Sequence, residues 1–366
     1  MKSKEDLKQN QAIMTDIDHV RYRPSMYIDQ LGDGSQSDDG MYKMLKGLLY
    51  NSTDELRMGF SMRIDVNVID AHTVSVRDYG RGIPHEDMTT VVTEFRECGN
   101  RMPKKSVGGI RLVVINALSS RFEIGSYRDG VLRTIKFEQG ILVSDIAEET
   151  DKEDGTYISF TPDEALFGSY RFYEEHIESI LYEHCCLNTW LTIMSNDKRM
   201  HSSEGLKDLL QTRTAVDENS IIHLKSDDIE VAFTYTNKCG EEYYSFVNGW
   251  ETQWGGTHVE ALKESVAQAI SEFFPSKDIK RSDIFHGFVA AISIRIEEPI
   301  FQDAMRNKLG SITITSAPES MPIMDFVASF VKKTLSEISF RKRQSKQLRP
   351  YENDNKDKKQ CFPYFS

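Results

Sequence analysis

The chain has 366 residues, of which 39% are apolar and 28% charged, with only 10 prolines. That length allows two or more cores, and that composition excludes a disordered or fibrous chain. The formal net charge of −12 argues against a protein that wraps nucleic acid over its whole surface, because nonspecific affinity comes from Lys and Arg meeting phosphates.

The sequence offers no sign of a membrane segment. No apolar run approaches the roughly 20 residues that span a bilayer, and the polar start MKSKEDLKQNQ is unlike a signal peptide. The five cysteines, without regular spacing, indicate reduced thiols rather than a disulfide framework. We therefore expect a cytoplasmic protein that makes no membrane contact.

The first elements are a polar arm, a loop and a helix. The loop is GDGSQSDDG, whose Asp and Ser side chains can cap the start of the next element. Apolar residues at helical spacing then predict a helix that ends near Gly59. These are Met41, Met44, Leu45, Leu48 and Leu49.

A sheet comes after the helix. Ile64, Val66 and Val68 alternate with polar residues, and Val74 and Val76 resume the alternation after a turn, which predicts a hairpin. Further strand patterns come after a glycine pair and a second helix. Helices layered on a mostly antiparallel sheet make an α+β sandwich the expected fold class.

The second half of the chain predicts a smaller α/β module. A helix and a strand, in YRFYEEHIESILYEHCCLNTWLTIMS, precede the polar stretch GLKDLLQTRTAVDENS, where we place the domain boundary. Beyond it, the strand patterns IEVAFTYTN and FVAAISIRIEEP flank the helical pattern HVEALKESVAQAISEFF. The predicted domains are an arm (1–17), a first domain (18–215), a second domain (216–340) and a basic and polar tail (341–366).

Two motifs bring together residues that suit a nucleotide. Asn51, Asp54 and Glu55 share one face of the first helix, where they form either a polar site or a solvated edge. An amide oxygen is a hard ligand suited to Mg²⁺ shared with phosphates. Asp78 closes a strand and can accept a hydrogen bond from an exocyclic amine. Gly80 and Gly82 would let the backbone approach a flat ring, so we expect purine recognition.

Six blocks of the sequence extend this interpretation to a family. RYRPSMYI, NSTDE, DYGRGIP, INALS, DGTYISFTP and FVNGWETQWGGTH occur in the order, and at similar separations, of motifs in the ATPase region of bacterial type II topoisomerase B subunits. The chain resembles gyrase B and its topoisomerase IV counterpart over roughly residues 18 to 340. The resemblance implies a GHKL (Bergerat) ATPase domain followed by a transducer domain.

The resemblance also implies a role for individual residues. Asn51 would hold Mg²⁺ and phosphate, and Asp78 would bind the adenine amine of ATP with Thr156 in support. Arg81 and Pro84 would line the adenine mouth beside Arg128. The other expected cofactor-binding residues are Glu55, Gly82, Ile83, Lys105, Gly108 and Gly109.

The sequence departs from the family pattern at the phosphate end. Gly47 stands where the family has the glutamate that polarises the attacking water, and a missing general base usually forfeits about 10²- to 10⁴-fold in rate. The lid after Gly108 and Gly109 is about three residues shorter than the family's and has no further glycine. The transducer loop has Ala304 and Arg306 for the family's glutamine and lysine, which leaves Arg306 a candidate phosphate contact.

Two functional hypotheses result. One is the ATP-binding, dimerising region of a type II DNA topoisomerase B-subunit-like protein, with weakened or absent hydrolysis. The other is a degenerate GHKL binding module that regulates or associates with a topoisomerase without nucleotide turnover. Expected partners are a second copy of the chain, a topoisomerase A-type subunit, and DNA through the transducer and basic tail. Because the tail is unlike the family's continuation, we also expect a short paralogue.

Overall fold

The computed structural model describes residues 14–95, 105, 110–273, 280–303, 305–315, 317 and 320–347, and for 273 and 336–347 the backbone alone. The chain divides into two compact units. Unit 1 comprises Met1–Cys185 and Trp190–His201, and unit 2 comprises Cys186–Thr189 and Ser202–Ser366. The predicted domain boundary after residue 215 stays a prediction.

Unit 1 has an eight-stranded sheet in the order β5-β4-β3-β6-β2-β1-β7-β8. All neighbouring strands are antiparallel except β1 and β7. The strands are β1 (Arg63–Asp70), β2 (Thr73–Asp78), β3 (Ser119–Arg128), β4 (Val131–Glu138), β5 (Ile141–Glu149), β6 (Gly155–Pro162), β7 (Thr192–Ser195) and β8 (Lys198–Met200). The mostly antiparallel sheet predicted from the sequence is confirmed.

Seven helices begin within the described part of unit 1. They are α1 (Asp16–Tyr22), α2 (Ser25–Ile28), α3 (Gly40–Leu56), α4 (Met88–Thr93), α5 (Leu112–Ala117), α6 (Glu164–Phe167) and α7 (Glu174–Leu187). The five apolar residues that predicted α3 are all buried, because they pack into the core of this unit. The predicted hairpin is β1 and β2, with Val66 opposite Val76.

Unit 2 has a five-stranded sheet in the order β12-β11-β13-β10-β9, in which only β11 and β13 pair in parallel. The strands are β9 (Ile222–Lys225), β10 (Ile229–Tyr235), β11 (Glu241–Val247), β12 (Trp250–Glu251) and β13 (Phe288–Ile294). The helices are α8 (Leu206–Thr214), α9 (Thr257–Phe273), α10 (Arg281–Ile284) and α11 (Ile323–Gln347). Its separate core confirms the predicted α/β module.

No helix in the described ranges is both long enough and apolar enough to span a bilayer.

Candidate functional site

Asp78 ends β2 and lies beneath the turn that comes after it. Asp78 is buried, with 5% of the residue exposed. One oxygen, Oδ1, accepts the backbone N–H groups of Gly80 at 3.0 Å and Thr156 at 3.1 Å. The other oxygen, Oδ2, accepts the hydroxyl of Ser52 on α3 at 3.2 Å. Because each carboxylate oxygen has two lone pairs, Oδ2 retains one for a further donor such as an exocyclic amine.

The pKa of Asp78 is well above that of an ordinary aspartate. Burial raises the pKa of Asp78 to about 6, and the nearby charge of Glu55 adds to the rise. The N–H groups of Gly80 and Thr156 and the hydroxyl of Ser52 oppose it. The carboxylate is therefore mostly ionised at pH 7 and able to accept hydrogen bonds, although burial disfavours its negative charge.

Glu55 and Arg81 fix the turn after β2 against α3. The Glu55 carboxylate accepts from Nε of Arg81 at 2.6 Å, from its Nη2 at 2.8 Å and from its backbone N–H at 3.0 Å. This fork-shaped pairing is half-buried and holds both side chains in one geometry. Both carboxylate oxygens of Glu55 thus accept hydrogen bonds from Arg81, and Glu55 does not lie on a solvated edge.

The two glycines of the turn are required by the protein's own packing. A Cβ on Gly80 would lie 2.3 Å from Cγ of Glu55, and a Cβ on Gly82 would lie 2.6 Å from the carbonyl oxygen of Tyr127. Gly82 also has a φ of +70°, which disfavours any other residue. Both positions therefore need glycine before any ligand is considered, and their approach to a ring stays a prediction.

The segment from Gly82 to His85 is tied to strands β3 and β4. The hydroxyl of Ser126 donates to the carbonyl of Ile83 at 2.7 Å, and Nη1 of Arg128 donates to the carbonyl of Gly82 at 3.3 Å. The guanidinium of Arg133 donates to the carbonyl of His85. These bonds hold Ile83 and Pro84 next to the Asp78 turn, so the structure brings together the residues predicted for the adenine end.

The phosphate end contains Gly47 and Asn51, one helical turn apart on α3. Both face Ile110, which lies just before α5. A Cβ on Gly47 would lie 2.9 Å from Cβ of Ile110. The amide nitrogen of Asn51 donates to the carbonyl of Ile110, 3.5 Å away. Ile110 therefore lies beside both positions, with its Cβ toward Gly47 and its main-chain carbonyl toward Asn51.

The remaining predicted residues are placed only in part. Lys105 is half-buried, but Gly108, Gly109 and Ala304 lie outside the described residues. Arg306, in unit 2, places its guanidinium over the rings of Trp250 at 5.5 Å and Phe301 at 5.8 Å. Its contact with a phosphate stays a prediction.

The sequence analysis did not predict two residues of the site, Ser52 and Ile110. Ser52 lies beside the predicted Asn51 and three residues before Glu55, a spacing that could have placed it on the same face as Glu55. Ile110 gave no signal, because an isoleucine beside a glycine pair is an ordinary core residue. Its role emerges only from its contacts with Gly47 and Asn51.

The two ends of the site differ in the ligand groups that they fit. The adenine end fits a purine, since Asp78 is buried, is held by three donors and has acceptor capacity left. At the phosphate end, position 47 has no carboxylate to act as a base, and a Cβ there would lie 2.9 Å from Cβ of Ile110. Among the described residues, no group of three or more His, Cys, Asp or Glu side chains could hold a metal ion.

Two protein-family models match the chain. Residues 36–166 match the histidine kinase-, DNA gyrase B- and HSP90-like ATPase family. Residues 187–357 match the DNA gyrase B family. The first region contains every described residue of the candidate site in unit 1, and the second lies mostly in unit 2.

Curated relatives agree with these matches. The chain is 36% identical to the B subunit of DNA topoisomerase 4 from Borreliella burgdorferi, over 90% of this chain and 54% of that protein. It is 29% identical to the B subunit of DNA gyrase from Thermotoga maritima, over 89% of this chain and 58% of that protein. The chain thus spans little more than half the length of these relatives.

Solved structures share the fold. The topoisomerase IV ATP-binding domain of Francisella tularensis, solved with a small-molecule inhibitor, aligns with a TM-score of 0.68 at 25% identity. That alignment covers 89% of this chain and 92% of the other. The 43K ATPase domain of Thermus thermophilus gyrase B aligns with a TM-score of 0.66 at 23% identity, covering 91% and 92%. The predicted GHKL fold is confirmed.

Proposed function

Because this chain is related to the GHKL ATPase and transducer region of type II topoisomerase B subunits, we propose that it binds adenine nucleotides and hydrolyses them weakly or not at all. The observation that carries the proposal is the Asp78 carboxylate, buried and held by Ser52, Gly80 and Thr156. Burying such a charge without a use for it would cost stability. An adenine amine is a fitting donor for its remaining lone pair.

Weak hydrolysis is expected from the absence of a base. Gly47 supplies no group to take a proton from an attacking water, and losing a general base lowers rates by about 10²- to 10⁴-fold. The same observation favours the second candidate function. In that case the chain acts as a binding module that regulates or associates with a topoisomerase without turnover.

The partners we propose are those expected from the relatives. A second copy of the chain, a topoisomerase A-type subunit and DNA are the partners expected for a B-subunit-like protein acting in the cytoplasm. The 36% identity to the topoisomerase 4 protein supports this set. DNA contact would come from the transducer-like domain and the basic tail.

Calorimetric titration tests the binding proposal. The wild type is titrated with ATP and with a non-hydrolysable ATP analogue, and phosphate release is assayed in parallel. We expect heat of binding with both ligands, negligible phosphate release, and no binding by Asp78→Asn. Turnover above about one per minute that Asn51→Ala abolishes would contradict weak hydrolysis. Wild-type protein that binds neither ligand would contradict the proposed function itself.

A further inference from the structure

The eight-stranded sheet of unit 1 has two edge strands that differ in length and charge. Strand β8 has three residues, of which Lys198 and Arg199 are basic and exposed. Short strands and lysines are the usual protection of a sheet edge against pairing with another chain. Strand β5, at the opposite edge, has nine residues and contains no lysine, arginine or proline. A bulge at Val143 interrupts β5 near its start, and the regular ladder then continues to Glu149.

The main chain of β5 has hydrogen-bonding groups that point away from the sheet. The backbone N–H of Thr150, just after the strand, donates to the carbonyl of Gly130 at 3.0 Å, so Thr150 bonds toward the β4 side. In an antiparallel ladder, alternate residues bond the neighbouring strand, and those between them direct N–H and C=O away from it. Counted back from Thr150, Ala147 and Glu149 direct these groups outward. Among the strands that the structure describes, β4 alone pairs with β5.

The exposed side chains along this edge are aliphatic and acidic. Asp145 is paired with Arg133 at 2.7 Å, but Glu148 and Glu149 are exposed at the end of the strand. The loop that follows adds three exposed carboxylates and one lysine, which are Asp151, Glu153, Asp154 and Lys152. Four aliphatic residues of the strand have between 47% and 69% of their surface exposed, and these are Ile141, Leu142, Val143 and Ile146. The edge therefore suits a strand that combines basic and aliphatic side chains.

These charges favour a different protein over a second copy of the chain. Antiparallel pairing of two copies along the regular ladder, residues 144–149, would place Glu148 of each copy opposite Asp145 of the other. Like charges directly opposite each other destabilise a strand pair. Since β5 contains no basic residue, a second copy of β5 could not neutralise these acids. A strand that carries Lys or Arg could.

We propose that β5 is a docking edge for an extended segment of a partner protein, rich in Lys or Arg and in aliphatic residues. The segment adds a ninth strand to the sheet through the outward main-chain groups of β5 and places its basic side chains near Glu148 and Glu149. Because adenine recognition takes no part in this contact, the proposal is independent of the proposed function. It can be tested on the nucleotide-free chain.

The first test titrates the whole chain into fluorescein-labelled peptides and follows fluorescence anisotropy. The probe is KVKIKVK, and one control, KVKPKPK, keeps every lysine but loses main-chain N–H donors. A second control, EVEIEVE, reverses the charge. We expect KVKIKVK to bind with a dissociation constant below about 0.5 mM, and each control to bind at least about tenfold more weakly. Equal binding of KVKPKPK would reduce the contact to charge attraction and overturn the proposal, as would no saturable binding of KVKIKVK.

The second test changes the main chain of the edge without changing its charge. Ala147→Pro removes one outward N–H, and proline is tolerated at edge positions whose N–H faces solvent. We expect KVKIKVK to bind this variant at least about tenfold more weakly than the wild type. Ala147→Thr, which keeps the N–H, should change the affinity by less than about threefold. If Ala147→Pro folds, as its thermal unfolding midpoint reports, and binds the peptide as well as the wild type, the peptide lies elsewhere and the proposal is wrong.

The third test changes charge alone, at exposed positions that do not endanger the fold. We expect Glu148→Gln combined with Glu149→Gln to weaken KVKIKVK binding by about three- to tenfold. Glu174→Gln combined with Glu175→Gln is the matched control, because these are also adjacent, exposed glutamates of unit 1. Equal losses in the two double variants would mean that net charge attracts the peptide, which would contradict docking at β5.

Sedimentation of the peptide-free chain distinguishes the other occupant. We expect any dimer of the wild type to persist in the Ala147→Pro variant. A dimer that Ala147→Pro dissociates would show that a second copy occupies the edge, and the proposal of a basic partner would then be wrong.

Discussion

At the scale of single residues, Asp78 lowers the stability of the fold and is the proposed acceptor for the adenine amine. Its carboxylate is buried, and burial raises the pKa of Asp78 from 3.8 to about 6. The folded protein therefore binds an extra proton between about pH 4 and pH 6. The free energy of unfolding falls as the pH rises through this window, and the loss is complete above pH 6. A shift of about two pH units corresponds to at most about 3 kcal/mol.

Asp78→Asn should therefore stabilise the chain and inactivate the site. The amide keeps an oxygen for Gly80 and Thr156 but carries no charge. We expect the free energy of unfolding to rise by about 1–3 kcal/mol at pH 8 and to change little at pH 3.5. Adenine nucleotide binding should be lost, because the amide presents an N–H where the purine amine needs an acceptor.

Urea unfolding at the two pH values, with calorimetric titration, measures both effects. Asp38→Asn is a suitable control, because Asp38 is exposed. The interpretation of Asp78 would be wrong if its variant were less stable at pH 8 than at pH 3.5 relative to the wild type.

Gly82 permits a second test at this scale. Gly82 and Gly168 have nearly the same φ, +70° and +71°. A Cβ on Gly82 would lie 2.6 Å from the carbonyl oxygen of Tyr127, whereas a Cβ on Gly168 would meet nothing within 4 Å. Alanine at either position should cost about 1–2 kcal/mol for the left-handed backbone. Gly82→Ala should cost about 1–3 kcal/mol more, because of the added clash. Urea unfolding of the two variants measures the difference, and equal losses would mean that the turn relaxes.

At the scale of elements, α3 joins the core to the site. Its apolar stripe packs into the core, and its other faces carry Gly47, Asn51, Ser52 and Glu55. The helix and the hairpin beside it are predictable from the sequence, because both show clear periodicity of apolar residues. The hydrogen-bonded pairs Ser52–Asp78 and Glu55–Arg81 cannot be predicted in this way. Each pair joins residues that are 26 apart in the sequence, and their contact depends on how α3 packs on the sheet.

The packing of α7 on α3 includes a buried histidine. The hydroxyl of Thr53 donates its only hydrogen to the carbonyl of Leu49 at 2.8 Å. Nε2 of His184 lies 2.5 Å from the same hydroxyl, which accepts from it when Nε2 carries the proton of the neutral ring. Burial lowers the pKa of His184 from 6.5 to about 3, and the charges of Arg57 and Lys46 add to the decrease.

This histidine should make the fold sensitive to acid. Below pH 6.5 the unfolded chain binds a proton at His184, while the folded chain stays neutral until about pH 3. The group should therefore remove about 1.4 kcal/mol of the free energy of unfolding per pH unit as the pH falls below 6.5. His184→Gln keeps an N–H for Thr53 and cannot titrate, so its stability should fall less steeply.

Urea unfolding of both proteins between pH 7.5 and pH 4.5 gives the two slopes. The opposite contribution of Asp78 is common to both proteins and cancels in the comparison. Parallel slopes would show that His184 is protonated in the folded chain.

At the scale of the whole molecule, the sequence predicts the class of fold better than it predicts the function. The six motif blocks predict a GHKL fold and a second α/β module, because they occur in order along most of the chain. The state of the phosphate end is not predictable, because it depends on Ile110, which is 63 residues from Gly47 in the chain. Contacts that are so distant in sequence arise only when α5 packs beside α3.

Charge at this scale leads to a final prediction about DNA. The chain has a net charge of −12, yet Arg341, Lys342, Arg343 and Lys346 lie close together in sequence at the end of α11. A local cluster can bind phosphates when the whole molecule is acidic, because salt screens charges more than about 10 Å apart. Replacing these four residues with Gln should weaken duplex DNA binding and reduce the slope of log K against log salt concentration by up to about 3.6, or 0.9 per contact.

A second quadruple variant separates the local cluster from the net charge. Lys136, Lys152, Lys198 and Arg199 are exposed in unit 1, and replacing them with Gln removes the same charge from the molecule. Fluorescence anisotropy at several salt concentrations measures both variants. If only the net charge mattered, the two variants would lose affinity equally. If the slope of log K against log salt concentration falls in the first variant and not in the second, DNA phosphates contact the end of α11. If the two variants have equal slopes, the end of α11 is an ordinary solvated helix that does not contact DNA.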